Sequence, residues 1–196
     1  MPEQPDPIDP QQPVLVLMGV SGCGKSTLAA VLHGRLGWDF AEGDDMHPPQ
    51  NVAKMASGHP LTDEDRWPWL ATVARWISQR TAAGRPGVVT CSALRRSYRD
   101  VLRGEHVLFV YLEGSRELIA SRLAARHGHY MPASLLDSQF QTLQPPQPDE
   151  RFVTVEVGPP PSEQADQLIA ALHLVSDRAP VGGRAGGSGA DGGGQS

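Results

Sequence analysis

Three stretches of this chain are apolar without alternation: Val14-Leu15-Val16-Leu17-Met18, Val88 to Cys91 and Val107 to Leu112. A strand with one wet face alternates, whereas a strand that is apolar at every position has to be covered on both faces. That condition is met in a parallel sheet lying between layers of helices. Trp38 to Ala41 and the alternating Phe152-Val153-Thr154-Val155-Glu156-Val157 are weaker strand candidates and belong nearer the edges. Helical segments are expected between them at Lys25 to Leu36, Pro48 to Ser57, Asp63 to Ala83, Arg95 to Leu102, Ser115 to Arg126 and Glu163 to Leu174. Strands alternating with helices imply right-handed crossovers, so the expected fold is α/β, three layers deep, with a five-stranded parallel sheet flanked by helices.

The first apolar run ends on Gly19-Val20-Ser21-Gly22-Cys23-Gly24-Lys25-Ser26, a G-x-x-x-x-G-K-S sequence, and Thr27 onward reads as helix. Its glycines let the backbone turn tightly enough to aim successive N–H groups at phosphate oxygens. Lys25 can reach the β- and γ-phosphates, the Ser26 hydroxyl can ligate Mg²⁺, and the helix dipole faces the anion. Residues 19–27 are therefore the expected nucleotide-binding segment. The second strand candidate ends in Gly43-Asp44-Asp45. Ligands of open α/β sheets bind beyond the carboxyl ends of strands, so these acids should lie across from the phosphate loop. Asp44 can align a substrate hydroxyl, and Asp44 or Asp45 can hold Mg²⁺ through water; the competing reading is a polar loop that caps the next helix. No acid follows Val88-Val89-Thr90-Cys91, where Ser92 and Ala93 stand instead. For positive charge at the transferred group, Arg122 and Arg126 lie four apart on one helical face, ahead of a lid expected at about 126–134. Arg95, Arg96 and Arg99 follow a strand end and can meet an anionic substrate.

The 196 residues suffice for one domain, expected over 14–175, with a disordered Pro-rich segment at 1–13 and a disordered Gly-rich tail at 176–196. A formal charge of −5 argues against general nucleic-acid binding. No leader pattern and no long apolar run are present, which points to a cytoplasmic protein without a membrane span. Cys23 and Cys91 are read as thiols, and the seven histidines lack zinc-site spacing. Thr62 can cap the long helix and Ser162 the last one. Trp69, Val73, Trp76 and Ile77 form a packing stripe.

Taken together, Val16-Leu17-Met18-Gly19-Val20-Ser21-Gly22, Gly43-Asp44-Asp45-Met46-His47-Pro48, Asn51, Lys54-Met55-Ala56-Ser57-Gly58, Pro60-Leu61, Asp65-Arg66, Pro68-Trp69-Leu70, Cys91-Ser92-Ala93-Leu94, Tyr98-Arg99-Asp100, Ser121-Arg122-Leu123 and Gln139-Phe140 resemble the thermoresistant gluconokinase family. The resemblance spans about Val14 to Leu174. It implies a P-loop kinase fold with a mobile lid, ATP and Mg²⁺ as cofactors, phosphorylation of D-gluconate to 6-phospho-D-gluconate, and often a homodimer. It implies that Asp44 faces the acceptor hydroxyl, that His47, Lys54 and Arg66 lie near the acceptor, and that Arg122 is the better candidate than Arg126 for phosphate contact. Two other readings stay open. One is a kinase of the same fold acting on shikimate, a nucleotide or another sugar acid. The other is a nucleotide switch, against which stand the missing N-K-x-D sequence and a D-x-x-G found only in the glycine tail.

Overall fold

The computed structural model describes residues 13–125 and 133–177. The chain runs β1 (Val14–Met18), α1 (Lys25–Leu36), β2 (Asp39–Glu42), a 3₁₀ turn at Gly43–Met46, α2 (Pro49–Ala56), α3 (Asp63–Ala82) and β3 (Gly87–Thr90). It continues with α4 (Arg96–Leu102), β4 (Val107–Glu113), α5 (Arg116–Ala125), α6 (Ala133–Thr142), β5 (Phe152–Glu156) and α7 (Pro161–Leu172). All four strand pairings are parallel, and the order across the sheet is β2-β3-β1-β4-β5. The two weaker strand candidates are the edges, as expected.

Period-two geometry sorts the apolar runs into two cores. Leu15 and Leu17 of β1, with Leu108, Val110 and Leu112 of β4, face the side covered by α1, α5, α6 and α7. Val14, Val16 and Met18, with Val107, Phe109 and Tyr111, face the side covered by α3 and α4. All five β1 residues are fully buried, each worth roughly 1.5–3 kcal/mol of transfer free energy, which is why no polar residue interrupts the run. Trp69, Val73 and Ile77 of the expected stripe are buried on α3, with Trp76 partly buried beside them. Cys23 and Cys91 are both free thiols, and burial pushes Cys91 up to about 12.

Four expectations need correction. Helix α6 was not read from the sequence, although Leu136, Phe140 and Leu143 recur at helical spacing and pack on the first core. Ser162 does not cap α7, because the helix begins one residue earlier at Pro161 and Pro160 takes the capping position without a side-chain bond. Proline fits that first position, having no N–H to leave unpaired. Residues Ser176 and Asp177, expected to begin the tail, are held instead: Ser176 Oγ and the Asp177 N–H both donate to Leu36 O. Just before them, Trp38 Nε1 donates to Val175 O at 2.9 Å. The fourth is Arg99, whose side chain is buried against Glu150. Most of segment 1–13, the tail beyond 177, Arg126 and most of the expected lid lie outside the described residues. Among the described residues no helix is long and apolar enough to cross a membrane.

Candidate active site

Because every strand points the same way, the loops after β1, β2, β3 and β5 emerge on one edge of the sheet. The chain leaves central β1 for edge strand β2, returns to β3, then crosses to β4 on the other side, and that reversal opens a crevice beside β1. The Gly19 N–H donates to Ser92 O at 3.2 Å, tying the start of the phosphate loop to the end of β3. Gly24, at φ 103°, stands before α1 and offers no side-chain cap, so the first N–H groups of the helix are left for an anion. Lys25 folds over the loop, its Nζ donating to Gly19 O at 3.0 Å and Val20 O at 3.1 Å. Ser26 and Thr27 are exposed on the first turn of α1.

Two elements press on the loop from outside. At Gly22, φ is +83°, which favours glycine, and an added Cβ would stand 2.6 Å from the Leu123 side chain of α5, which would have to shift. Gln139 of α6 grips Ser21 with both ends of its amide: Oε1 accepts the Ser21 N–H at 2.6 Å, and Nε2 donates to Ser21 Oγ at 3.0 Å. Arg122 on α5 donates to Gly158 O at 3.1 Å, after β5. Its charge also reaches the Cys23 thiol within the loop. Burial drives that thiol up, against the pull of Lys25 and Arg122.

Across the crevice, the β2 loop is fixed by close backbone approach. A Cβ on Gly43 would stand 1.9 Å from Thr90 O, so no other residue fits. The Gly43 N–H donates to Thr90 Oγ1 at 3.1 Å, and its carbonyl accepts Trp69 Nε1 at 2.7 Å. Asp44 follows on this anchored turn with an exposed carboxylate that has no hydrogen bond or ion pair among the described residues. Its charge and that of Lys25 act in opposite directions on the Cys91 thiol at the end of β3, Asp44 raising its pKa and Lys25 lowering it.

His47 stacks on Trp69, ring centroids 4.2 Å apart and 16° from parallel. Buried Asn51 sets its tautomer. Asn51 Nδ2 donates to Asp65 O at 2.8 Å, and since a carbonyl can only accept, the same amide nitrogen must also donate to His47 Nδ1 at 3.3 Å. The ring proton therefore sits on Nε2. Burial lowers the His47 pKa, Asp44 opposes, and Arg66 adds to the lowering, so the ring is neutral.

The remaining cations divide. Lys54 Nζ donates to Asp65 Oδ2 at 2.5 Å, and that ammonium together with the Thr62 N–H holds the Asp65 carboxyl at about 2. Thr62 and Asp65 bond reciprocally as a capping box for α3, so the expected Thr62 cap is present. Arg66 and Arg95 both approach Asp63, at 3.6 and 3.2 Å, around the Tyr98 hydroxyl. Arg96 forms two bonds to Asp149 on the outside. Arg99 is the correction. Its side chain is 1% exposed, with Nε and Nη2 on Glu150 at 2.6 and 2.9 Å and Nη1 on the carbonyls of Ala93 and Gln144. With four of its five N–H groups bonded inside the protein, Arg99 braces Ala93, a non-glycine residue at φ 44°, and its buried side chain is not presented to a ligand.

Asn51, Trp69 and Gln139 carried no assigned site role from sequence. Periodicity marks Trp69 only as part of the packing stripe of α3 and does not mark Asn51 or Gln139, since each acts at the site through backbone, ring or side-chain contacts that only folding creates.

The AAA domain family model matches residues 14–146. The chain is 51% identical over 157 residues to a gluconokinase of Gluconobacter oxydans (strain 621H), covering 79% of this chain and 88% of that protein. It is 46% identical over 146 residues to the thermoresistant gluconokinase of Escherichia coli (strain K12), covering 72% and 82%. The crystal structure of a gluconokinase from Sinorhizobium meliloti 1021 aligns with a TM-score of 0.76 at 44% identity, over 83% of this chain and 93% of that one.

Proposed function

The chain belongs to the gluconokinase family, and we propose that it transfers the γ-phosphoryl group of ATP to D-gluconate in the cytoplasm, giving 6-phospho-D-gluconate and ADP. The observation that carries this reading is the likeness to gluconokinases, which runs through the elements on both sides of the crevice.

On the donor side, the N–H groups of Gly22 and of residues 24–27 receive the phosphates, the Cys23 N–H being bonded to Val20 O, and Lys25 exchanges its two loop carbonyls for the γ-phosphate. Arg122 adds charge compensation from α5. Mg²⁺, when bound, offsets charge on the β- and γ-phosphate oxygens. Ser26 and Asp44 fit such an ion. Both offer hard oxygen atoms on exposed side chains, and no cluster of three or more His, Cys, Asp or Glu exists among the described residues to hold a metal without help from phosphate and water.

On the acceptor side, the Asp44 carboxylate orients the terminal hydroxyl of gluconate toward the γ-phosphorus and takes up its proton as the new P–O bond forms and the bond to ADP breaks. His47 offers Nε2–H to a substrate hydroxyl. Asp63 can neutralise only one of the two guanidiniums beside it, so Arg66 and Arg95 leave net positive charge for the gluconate carboxylate. Lys54, already neutralised by Asp65, contributes mainly by fixing α2 to α3.

Coupled measurement of ADP release with gluconate, other sugar acids, shikimate and nucleoside monophosphates tests the assignment. Turnover is expected with gluconate; silence with gluconate and turnover with another acceptor would reject it.

A further inference from the structure

Ser21 lies within the phosphate loop, where backbone N–H groups ordinarily turn toward an anion. Its own N–H is not available. Gln139, 118 positions later, accepts it at 2.6 Å. The same amide then fixes the hydroxyl: with Oε1 committed to an N–H that can only donate, Nε2 must face Ser21 Oγ, at 3.0 Å, and donate to it. An oxygen that accepts from Gln139 keeps its own hydrogen free to donate elsewhere. Gln139 thus exchanges one kind of donor for another at this point of the loop.

We propose that Gln139 is a positioning residue for the donor nucleotide, which spends the Ser21 N–H and presents the Ser21 hydroxyl as the donor to the ATP phosphates. The inference rests on the reading of residues 19–27 as the ATP site, and adds to it a residue from α6. The support of Gln139 is itself firm. Its helix is joined to α5 by an ion pair between Arg116 and Asp137, and Leu136 one turn earlier is buried in the first core. Leu123 of α5 closes on Gly22 next door. The loop is therefore braced at two successive residues by the two helices that precede and follow residues 126–132.

A hydroxyl donating to a charged phosphate is worth roughly tenfold or more in affinity, and an amide that orients it should be worth about the same, because the two act as one unit. Calorimetric binding of a non-hydrolysable ATP analogue, alongside steady-state kinetics, tests this. Gln139→Ala and Ser21→Ala are each expected to weaken analogue binding about tenfold and raise KM for ATP in step, with KM for gluconate within about twofold of the parent. The double variant is expected to be no more than about twofold worse than the poorer single variant. Gln139→Glu supplies the decisive arm, since it keeps size and helix but carries two acceptors. Its carboxylate would take both the N–H and the O–H of Ser21, so at least tenfold weaker binding is expected. Unchanged analogue affinity in Gln139→Ala, fully multiplicative single effects, or parent-like binding by Gln139→Glu would each overturn the proposal. Thermal melts identify any variant whose loss is unfolding, and Gln139→Glu then carries the test. Analogue binding needs no acceptor, so failure of the gluconate assignment would show in turnover alone and leave this result readable.

Discussion

Replacing Arg99 by alanine should cost stability and leave the chemistry nearly intact. The change strands the Glu150 carboxylate, 7% exposed, with the Gln147 N–H at 2.9 Å as its remaining donor. It also releases the carbonyls of Ala93 and Gln144. Breaking a buried ion pair by removing one partner costs about 3–5 kcal/mol. Two orphaned carbonyls push toward the upper end. A neighbouring cavity of about 390 Å³, lined by Arg99, Arg103, Glu150 and Arg151 among others, admits water and pulls the other way. The expected loss is about 4 kcal/mol, a large part of the roughly 5–15 kcal/mol that holds a domain together, and about 8–16 °C in Tm for a chain of this size. Urea titration read by fluorescence of the tryptophans measures it, with a Glu150→Ala cycle expected to show coupling of about 2 kcal/mol. The sign with pH is a second check. Burial raises the Glu150 pKa, but Arg99 and the Gln147 N–H outweigh it and the net shift is downward. The pair therefore stabilises fully above the ordinary carboxylate value, and that contribution fades as pH falls through the lower folded value. In Arg99→Ala, burial prevails and Glu150 protonates more readily, so the gap between the proteins narrows toward acid. A loss below about 1 kcal/mol together with a raised KM for gluconate would refute the reasoning and return Arg99 to the substrate site.

Lys25→Ala is expected to lower kcat by roughly 10²-fold or more, measured as coupled ADP release, because its charge acts on the transferring group. Asp44→Asn should reduce kcat by about 10²-fold with little change in KM for gluconate; a pure KM effect would make Asp44 a binding residue only. Arg66→Ala should raise KM for gluconate about tenfold while KM for ATP holds, and equal effects on both would contradict its placement on the acceptor side. His47 is held neutral with its pKa lowered from the ordinary 6.5, and protonation at Nδ1 breaks the bond from Asn51 while leaving Nε2–H in place. The ring position fixed by Asn51 is complete above 6.5 and is lost as pH falls through the lower folded value, so any acid limb in KM for gluconate is expected there. In Asn51→Ala nothing donates to Nδ1, so that acid limb should move to higher pH, and an unmoved profile would count against the assigned tautomer.

How much was legible in advance differs between the two halves of the crevice. The donor half is local: eight consecutive residues, Gly19 to Ser26, contain the turn, the cation and the hydroxyl, so reading them in line is nearly the same as seeing them folded. The proposed acceptor half draws on the loop after β2, helices α2 and α3, and the segment after β3. Its residues could be named by resemblance, yet their availability could not. Arg66, Arg95, Arg99 and Lys54 look alike as letters, and Arg99 turned out to be consumed by Glu150 while Lys54 is paired with Asp65. Ion pairing depends on which carboxylate is brought near, and those partners lie 11 and 51 positions away.

The sequence by itself determined the class of fold, since short uninterrupted apolar runs alternating with helical segments suit strands covered on both faces, and it determined the phosphate loop, since that chemistry is encoded by neighbours. Tertiary structure alone decided the strand order, the tautomer of His47 through Asn51, the fit of Gly43 against Thr90, and the hold of Gln139 on Ser21. Those depend on single contacts between distant residues. Such contacts leave no period in the chain, and their energy exists only after the sheet has brought the strand ends to one edge.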